Sequence, residues 1–258
     1  MSDEAARDGA ARDGAVSDAT MGELRFAASA ATRIGPRHRQ NEDAHAAWDA
    51  AALFVVSDGI GGLADGAVAS RAVVELLQRG VTPGAALDRR VAQARDALFR
   101  ANAALFQSGA ESGAPLGATV VLAVLGEGCA VCLWAGDSRA YLARAGRLHP
   151  ITRDHAIFGR TAPGAAARTV ITRAIGPEDD VEIDCAIVDL VAGDALLLCS
   201  DGVHGAIPSA RLEQLLTTGP GVGATQVVEE AAAYGTRDDA TAIIVHIRAA
   251  EGAHGARA

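Results

Sequence analysis

Residues 119–146, TVVLAVLGEGCAVCLWAGDSRAYLARAG, decide the fold class. Three apolar runs (119–125, 129–135 and 139–146) are separated by Gly-Glu-Gly and Gly-Asp-Ser. Each run is too short for a typical helix, the first is rich in β-branched valine, and glycine marks each break. That is the pattern of antiparallel strands following one another in a meander. Downstream, VEIDCAIVDL (181–190) and DALLLCS (194–200) extend the meander, and ATAIIVHI (240–247) reads as a last strand. Upstream, ELRFAAS (23–29) and AALFVVS (51–57) are strands bounded by Gly, Pro and Asp. Helical spacing appears between these blocks. From Asp65 to Arg79, Val68, Ala72, Val73, Leu76 and Leu77 share a face, and Gly80 closes the segment. From Gly84 to Gln107 the period returns through Leu87, Val91, Ala94, Leu98, Ala101 and Leu105. Two further helices are expected near Pro208–Thr217 and Ala224–Tyr234. Strands in blocks with helices in pairs predict an α+β domain, with stacked sheets at the centre and helices outside.

The chain has 258 residues, half of them hydrophobic but only 3% aromatic, so the core must be built from Ala, Val, Leu and Ile. That length suits one large domain, and no stretch inside 23–249 reads as a linker. Residues 1–22 carry the tandem AARDG at 5–9 and 10–14 and offer little to bury. They read as a disordered tail ahead of a domain at 23–250, with 251–258 as a second, flexible tail. The net charge of −9 argues against a nucleic-acid partner and suits a protein that gathers cations. No apolar stretch reaches the roughly 18–20 residues that span a bilayer, and no secretory leader is legible, so no membrane partner and a cytoplasmic location are expected. Cys129 and Cys132 form a CxxC, but residues three apart on a strand face opposite ways, so the two are read as structural rather than as zinc ligands.

Chemistry is carried by acids at the ends of apolar runs. Asp58 follows a strand in FVVSDGIGG, and Asp201 holds the equivalent place in LLLCSDG. Asp137 sits at the turn in LWAGDSRA, and Asp238 and Asp239 precede the last strand in GTRDDATAIIV. One Asp-Gly is an ordinary turn. Several carboxylates placed where strands leave a core can converge, and converged anions raise one another's pKa until a cation neutralises them. Oxygen donors without His or thiolate select Mg²⁺ or Mn²⁺ over zinc. Two such ions, about 3.5–4 Å apart, would prepare a water for in-line attack on phosphorus without a covalent nucleophile. Neither a Cys-x5-Arg loop nor a Gly-x-Ser-x-Gly elbow is present.

The ordered motifs QNEDA (40–44), SDGIGG (57–62), GAT (117–119), AGDSRAYL (135–142), TRDH (152–155), TRAIG (172–176), CSDGV (199–203) and RDDAT (237–241) carry a resemblance. Together they resemble the metal-dependent serine/threonine phosphatases of the protein phosphatase 2C type, in a bacterial single-domain form. The resemblance implies two stacked antiparallel sheets flanked by helix pairs, an αββα sandwich. It implies that Asp58 bridges two metals, that the Gly59 carbonyl binds the first, and that Asp201 and Asp238 bind the second. It implies that Asp43, with Glu42, orients metal-bound water, and that Asp137 helps hold a third ion. Thr119 is given a structural role. The implied activity is hydrolysis of phosphoserine and phosphothreonine in proteins, in a signalling role opposite a serine/threonine kinase. A monomer is expected.

Three departures stand out. The family usually has a phosphate-gripping arginine three residues before Asn41; His38 stands there, between Arg37 and Arg39, and any of the three is a candidate. Ile60 replaces the histidine that some members carry in DGxGG. Asp239 stands where the family often has Asn, and either tightens metal binding or faces solvent. The segment 156–170 corresponds to a flap that contacts protein substrates in the family, and here it is short and rich in Gly and Ala. His155 is read as a structural hydrogen-bonding residue. Two other readings compete: a catalytically weak module that docks phosphoproteins or a kinase, and a phosphatase of small phosphate esters.

Overall fold

A computed structural model describes residues 18–21, 24–60, 65–159, 168–217 and 221–250. The strands are β1 (Asp18–Met21), β2 (Leu24–Arg33), β3 (Asp43–Trp48) and β4 (Leu53–Asp58), then, after two helices, β5 (Val120–Gly126), β6 (Cys129–Ala135), β7 (Arg139–Arg144) and β8 (Arg147–Pro150). The short pair β9 (Ala156–Gly159) and β10 (Arg168–Ile171) precedes β11 (Asp184–Asp189), β12 (Ala195–Cys199) and β13 (Ala240–Ala249). The helices are α1 (Gly66–Gly80), α2 (Leu87–Ser112), α3 (Asp201–His204), α4 (Ser209–Thr217) and α5 (Ala224–Ala233). No helix among the described residues is long and apolar enough to cross a membrane.

Two antiparallel sheets stack face to face. One has six strands in the order β1-β2-β13-β12-β7-β8, the other five in the order β11-β6-β5-β4-β3. Alternate side chains of each strand point to opposite faces, so each sheet contributes to two cores. Phe26, Leu142, Leu198, Ile243 and Val245 meet Phe54, Val56, Val121 and Cys132 between the sheets. The opposite faces are covered by helices. Val73 and Leu77 of α1 and Leu98 and Leu105 of α2 lie on Leu53, Val55, Leu122 and Leu133. Leu212 of α4 and Val227 and Val228 of α5 lie on Leu197, Cys199 and Ile244. Because both faces are buried, β5 is buried at every position. That burial is why its sequence is a continuous apolar run rather than an alternation.

The expected α+β sandwich is therefore present, with two corrections. The runs at 129–135 and 139–146 do not continue one meander: β6 pairs β5 and β11, whereas β7 pairs β12 and β8 in the other sheet. The Gly136–Ser138 turn carries the chain across the sandwich, with Gly136 at φ +119°, a conformation that favours glycine. A turn between neighbouring strands and a turn between layers have the same composition, so pattern alone cannot separate them. The second correction concerns the N-terminus. Asp18–Met21 pairs antiparallel with Leu24–Ala27, so strand structure begins before residue 23. The remaining residues of the expected tails, 1–17, 22 and 251–258, lie outside the described residues, as does residue 23.

Arg90 of α2 was not singled out by pattern. It is buried, and its guanidinium donates to the carbonyls of Ala85, Ala51 and Leu125, pinning α2 to the ends of β4 and β5. Cys132 and Cys199 are buried, Cys129 is half-buried and Cys185 is exposed. Cys129 packs toward the helices while Cys132 lies between the sheets, the opposite facing expected of the CxxC.

Candidate active site

The strands of both sheets deliver acids to one end of the sandwich. Asp58 is the last residue of β4 and stands directly across from Asp43, the first of β3. Asp201 follows β12 after one serine, Asp238 precedes β13, and Asp137 lies in the turn that crosses between sheets. Asp58 feels the charges of Asp43, Asp201, Asp137 and Asp238, so the five sequence-predicted carboxylates are brought together. Gly59, the remaining predicted position, continues β4 in a bridge to Ala118. A side chain at Gly59 would collide with the backbone of Gly66, so the start of α1 presses directly against the site.

Hydroxyl groups tie the two sheets together beneath the acids. Ser200 Oγ donates to Asp43 Oδ2 at 2.8 Å, linking β12 to β3. Thr119 Oγ1 accepts the Asp58 N–H at 3.1 Å and lies 2.7 Å from Ser138 Oγ, in keeping with the structural role expected of it. Beside them, half-buried His204 places Nε2 2.9 Å from the Asp137 carbonyl, and desolvation holds its pKa down to about 4. A neutral ring then donates that hydrogen bond. His155 exchanges hydrogen bonds with Gly136 through backbone and Nδ1, reaches Asp184 with Nε2 and stacks on Trp134, the structural role expected of it.

The acids are held in a state that water alone cannot relieve. Burial, followed by the charges of its neighbours, pushes Asp58 well above the usual carboxylate range. Burial also raises Asp43 to about 7 despite hydrogen bonds from Thr241 and Ser200, with the charges of Asp239 and Asp201 adding to the rise. Asp201 rises to about 7, chiefly from burial and then from Asp137 and Asp238, although a hydrogen bond with Asp58 opposes this. Asp137 is raised as well, again mainly by burial. Among the described residues no three His, Cys, Asp or Glu side chains are drawn together tightly enough to grip an ion as they stand. Yet Asp43 Oδ1 and Asp137 Oδ1 are buried without a partner. A buried acceptor with no donor costs about 1–3 kcal/mol. A divalent cation among these all-oxygen donors would remove that cost and the mutual repulsion at once. The residues fit such a metal.

The sequence did not weigh Asp239 correctly. It is buried, and it accepts hydrogen bonds from the backbone of Gly35 and Glu42 and from His38. It does not face solvent. Of the three basic candidates, His38 is half-buried against Asp238 and Asp239, while Arg37 and Arg39 are exposed. Ile60 bonds backbone to backbone with Gly117, and Gly61 and Gly62 lie outside the described residues. In the flap segment, β9 and β10 form a hairpin that leaves Ile157 and Phe158 exposed; residues 160–167 lie outside the described residues.

A family profile for protein phosphatase 2C matches residues 34–232, which span the whole acidic constellation except Asp238. The chain belongs to the protein phosphatase 2C family. Among its relatives in the family is the Serine/threonine phosphatase stp of Listeria monocytogenes, 30% identical over 211 residues, covering 75% of this chain and 83% of that protein. Among solved structures, PppA, a key regulatory component of T6SS in Pseudomonas aeruginosa, superposes with a TM-score of 0.76 at 30% identity, covering 90% of this chain and 100% of that one. The catalytic domain of serine threonine protein phosphatase PstP, in complex with two manganese ions, superposes with a TM-score of 0.74 at 28% identity, covering 87% of this chain and 99% of that one. These structures thus share this sandwich over most of its length, and the manganese of the PstP structure agrees with the all-oxygen donor set.

Proposed function

We infer that this phosphatase 2C hydrolyses phosphoserine and phosphothreonine in proteins, and that the acidic end of the sandwich is its active site. One observation carries the reading: five carboxylates from separate parts of the chain meet at that end, with Asp43, Asp58, Asp137 and Asp201 raised in pKa chiefly by burial and two buried oxygens unpartnered. Asp58, the Gly59 carbonyl, Asp201 and Asp238 would together hold two divalent ions. Asp43 and Glu42 are assigned to orient water, and Asp137 to a third, weaker site. Mn²⁺ or Mg²⁺ suits these oxygen ligands. When bound, such ions make water nucleophilic near neutral pH and neutralise phosphate oxygens. The chain's own residues hold the reactants. The hydrogen bond from Ser200 orients Asp43, and Arg37, His38 or Arg39 meets the phosphate from the loop beside Asp238.

Asp58→Asn should abolish manganese-dependent phosphate release from a phosphothreonine peptide while the protein stays folded. Wild-type rates in that variant would end the assignment. The docking-module reading predicts no turnover even with Mn²⁺ and is not favoured, since no expected carboxylate is missing. Phosphoprotein substrates, an opposing kinase, a cytoplasmic location and a monomeric state belong to the same proposal. Comparing phosphopeptides with metabolite phosphates tests the substrate, and gel filtration tests the monomer.

A further inference from the structure

Two of the departures from the family pattern, far apart in sequence, touch in space. His38 stands where an arginine is usual, and Asp239 stands where an asparagine is frequent. In the fold, His38 Nδ1 lies 2.8 Å from Asp239 Oδ2. The carboxylate of Asp239 also accepts the Glu42 N–H at 2.6 Å and the Gly35 N–H at 2.7 Å. One buried side chain therefore fastens the loop from Gly35 to Glu42 at both ends and at its middle. The approach is close: a Cβ on Gly35 would collide with the backbone of Asp238.

This contact fixes the histidine. Both oxygens of Asp239 already accept backbone N–H bonds, so the carboxylate serves the ring as an acceptor, Nδ1 carries the hydrogen and the ring plane is set by Asp239. Nε2 is left facing the acidic site, 3.5 Å from Asp238 Oδ1. An arginine needs no such help, because its long stem and planar fork reach a phosphate oxygen unaided. A short imidazole reaches only from one orientation. An asparagine at 239 would offer one amide oxygen to the loop's donors and no charge to the ring.

We propose that His38 and Asp239 act as one unit: His38 is the residue that meets the substrate phosphate, and Asp239 is the positioning residue that turns it there. The proposal rests on the phosphatase reading above and chooses among its three basic candidates. It makes the two departures a paired exchange rather than two separate losses.

The test is a double-mutant cycle read by KM and kcat on a phosphothreonine peptide, with Mn²⁺ affinity measured by calorimetry for each variant. His38→Ala should raise KM about tenfold, the loss of one charge-assisted hydrogen bond, and by more than Arg37→Ala or Arg39→Ala does. Asp239→Asn alone should raise KM by a similar factor through a ring free to turn. His38→Arg alone should also raise KM, because Asp239 draws the guanidinium away. The double variant His38→Arg/Asp239→Asn should recover to within about threefold of wild type, with kcat and Mn²⁺ affinity little changed throughout. Single effects that simply multiply in the double variant would overturn the proposal. So would a larger KM rise from Arg37→Ala or Arg39→Ala, or a fall in Mn²⁺ affinity that tracks Asp239→Asn. If Asp239→Asn fails to fold, His38→Ala decides alone, and an unchanged KM overturns the assignment. A wild-type protein without manganese-dependent turnover would instead sink the phosphatase reading beneath it.

Discussion

The carboxylates at the end of the sandwich tie stability to pH in a direction opposite to that of an ordinary surface aspartate. Asp43 and Asp201 each have a folded pKa of about 7, against 3.8 for a free side chain, with burial as the chief cause. The folded state therefore binds protons that the unfolded state has released. Their stabilising effect is complete below about pH 4 and is lost as pH rises through about 7. Metal-free protein should accordingly melt at a lower temperature at pH 8 than at pH 5.5. Added Mn²⁺ should raise the midpoint more at pH 8, where it meets ionised ligands. A metal-free midpoint that climbed steadily across this range would mean the acids do not share one buried cluster. Residue by residue, Asp58, Asp137, Asp201 and Asp238 were legible because each sits beside glycine or a strand end. The hydroxyl of Ser200 and the burial of the Asp239 carboxylate were not, and Thr119 was legible as structural but not by its bonds to Asp58 and Ser138. Their importance lies in what they touch, and their partners are up to 204 positions away, as with Gly35 and Asp239.

Among the elements, α2 depends on a polar anchor that its hydrophobic stripe does not reveal. The guanidinium of Arg90 satisfies three carbonyl groups from the start of α2 and from the ends of β4 and β5. Arg90→Met would keep much of the packing and leave those acceptors without their donors. A loss of about 3 kcal/mol in urea unfolding is expected, since each buried acceptor left unpaired costs about 1–3 kcal/mol and some will find water. The specific activity of the folded fraction should hold, as Arg90 touches none of the acids. A loss below about 0.5 kcal/mol would show that the anchor is ornamental. The long strands and helices were readable because their apolar periods are long. The strands β8, β9 and β10 were harder, since four-residue strands carry too little pattern to register.

At the scale of the whole molecule, the two sheets are joined by a core that both must share. Phe54 of β4 is fully buried and meets Phe26 of β2 edge-on, with ring centroids 5.5 Å apart at 89°. These rings are the aromatic contact between layers that are otherwise largely aliphatic, with Cys132 and Trp134 beside them. Phe54→Ala should cost about 3–5 kcal/mol, measured by chemical denaturation. It should also weaken Mn²⁺ binding, because Asp58 ends the same strand while Asp201 follows β12 and Asp238 precedes β13 of the other sheet. Unchanged metal affinity in a strongly destabilised Phe54→Ala would argue that the layers hold their alignment without this contact. From sequence alone came the element types, the α+β class, and a set of acids whose shared placement at strand ends announced metal-dependent phosphate chemistry. Those are local properties, written in period, in turn residues and in the charge beside them. Which run joins which sheet, how the acids from five places meet, and that His38 leans on Asp239 were decided only by tertiary structure. Contacts between residues distant in the chain leave no trace in local pattern, because each partner's own surroundings are compatible with many others.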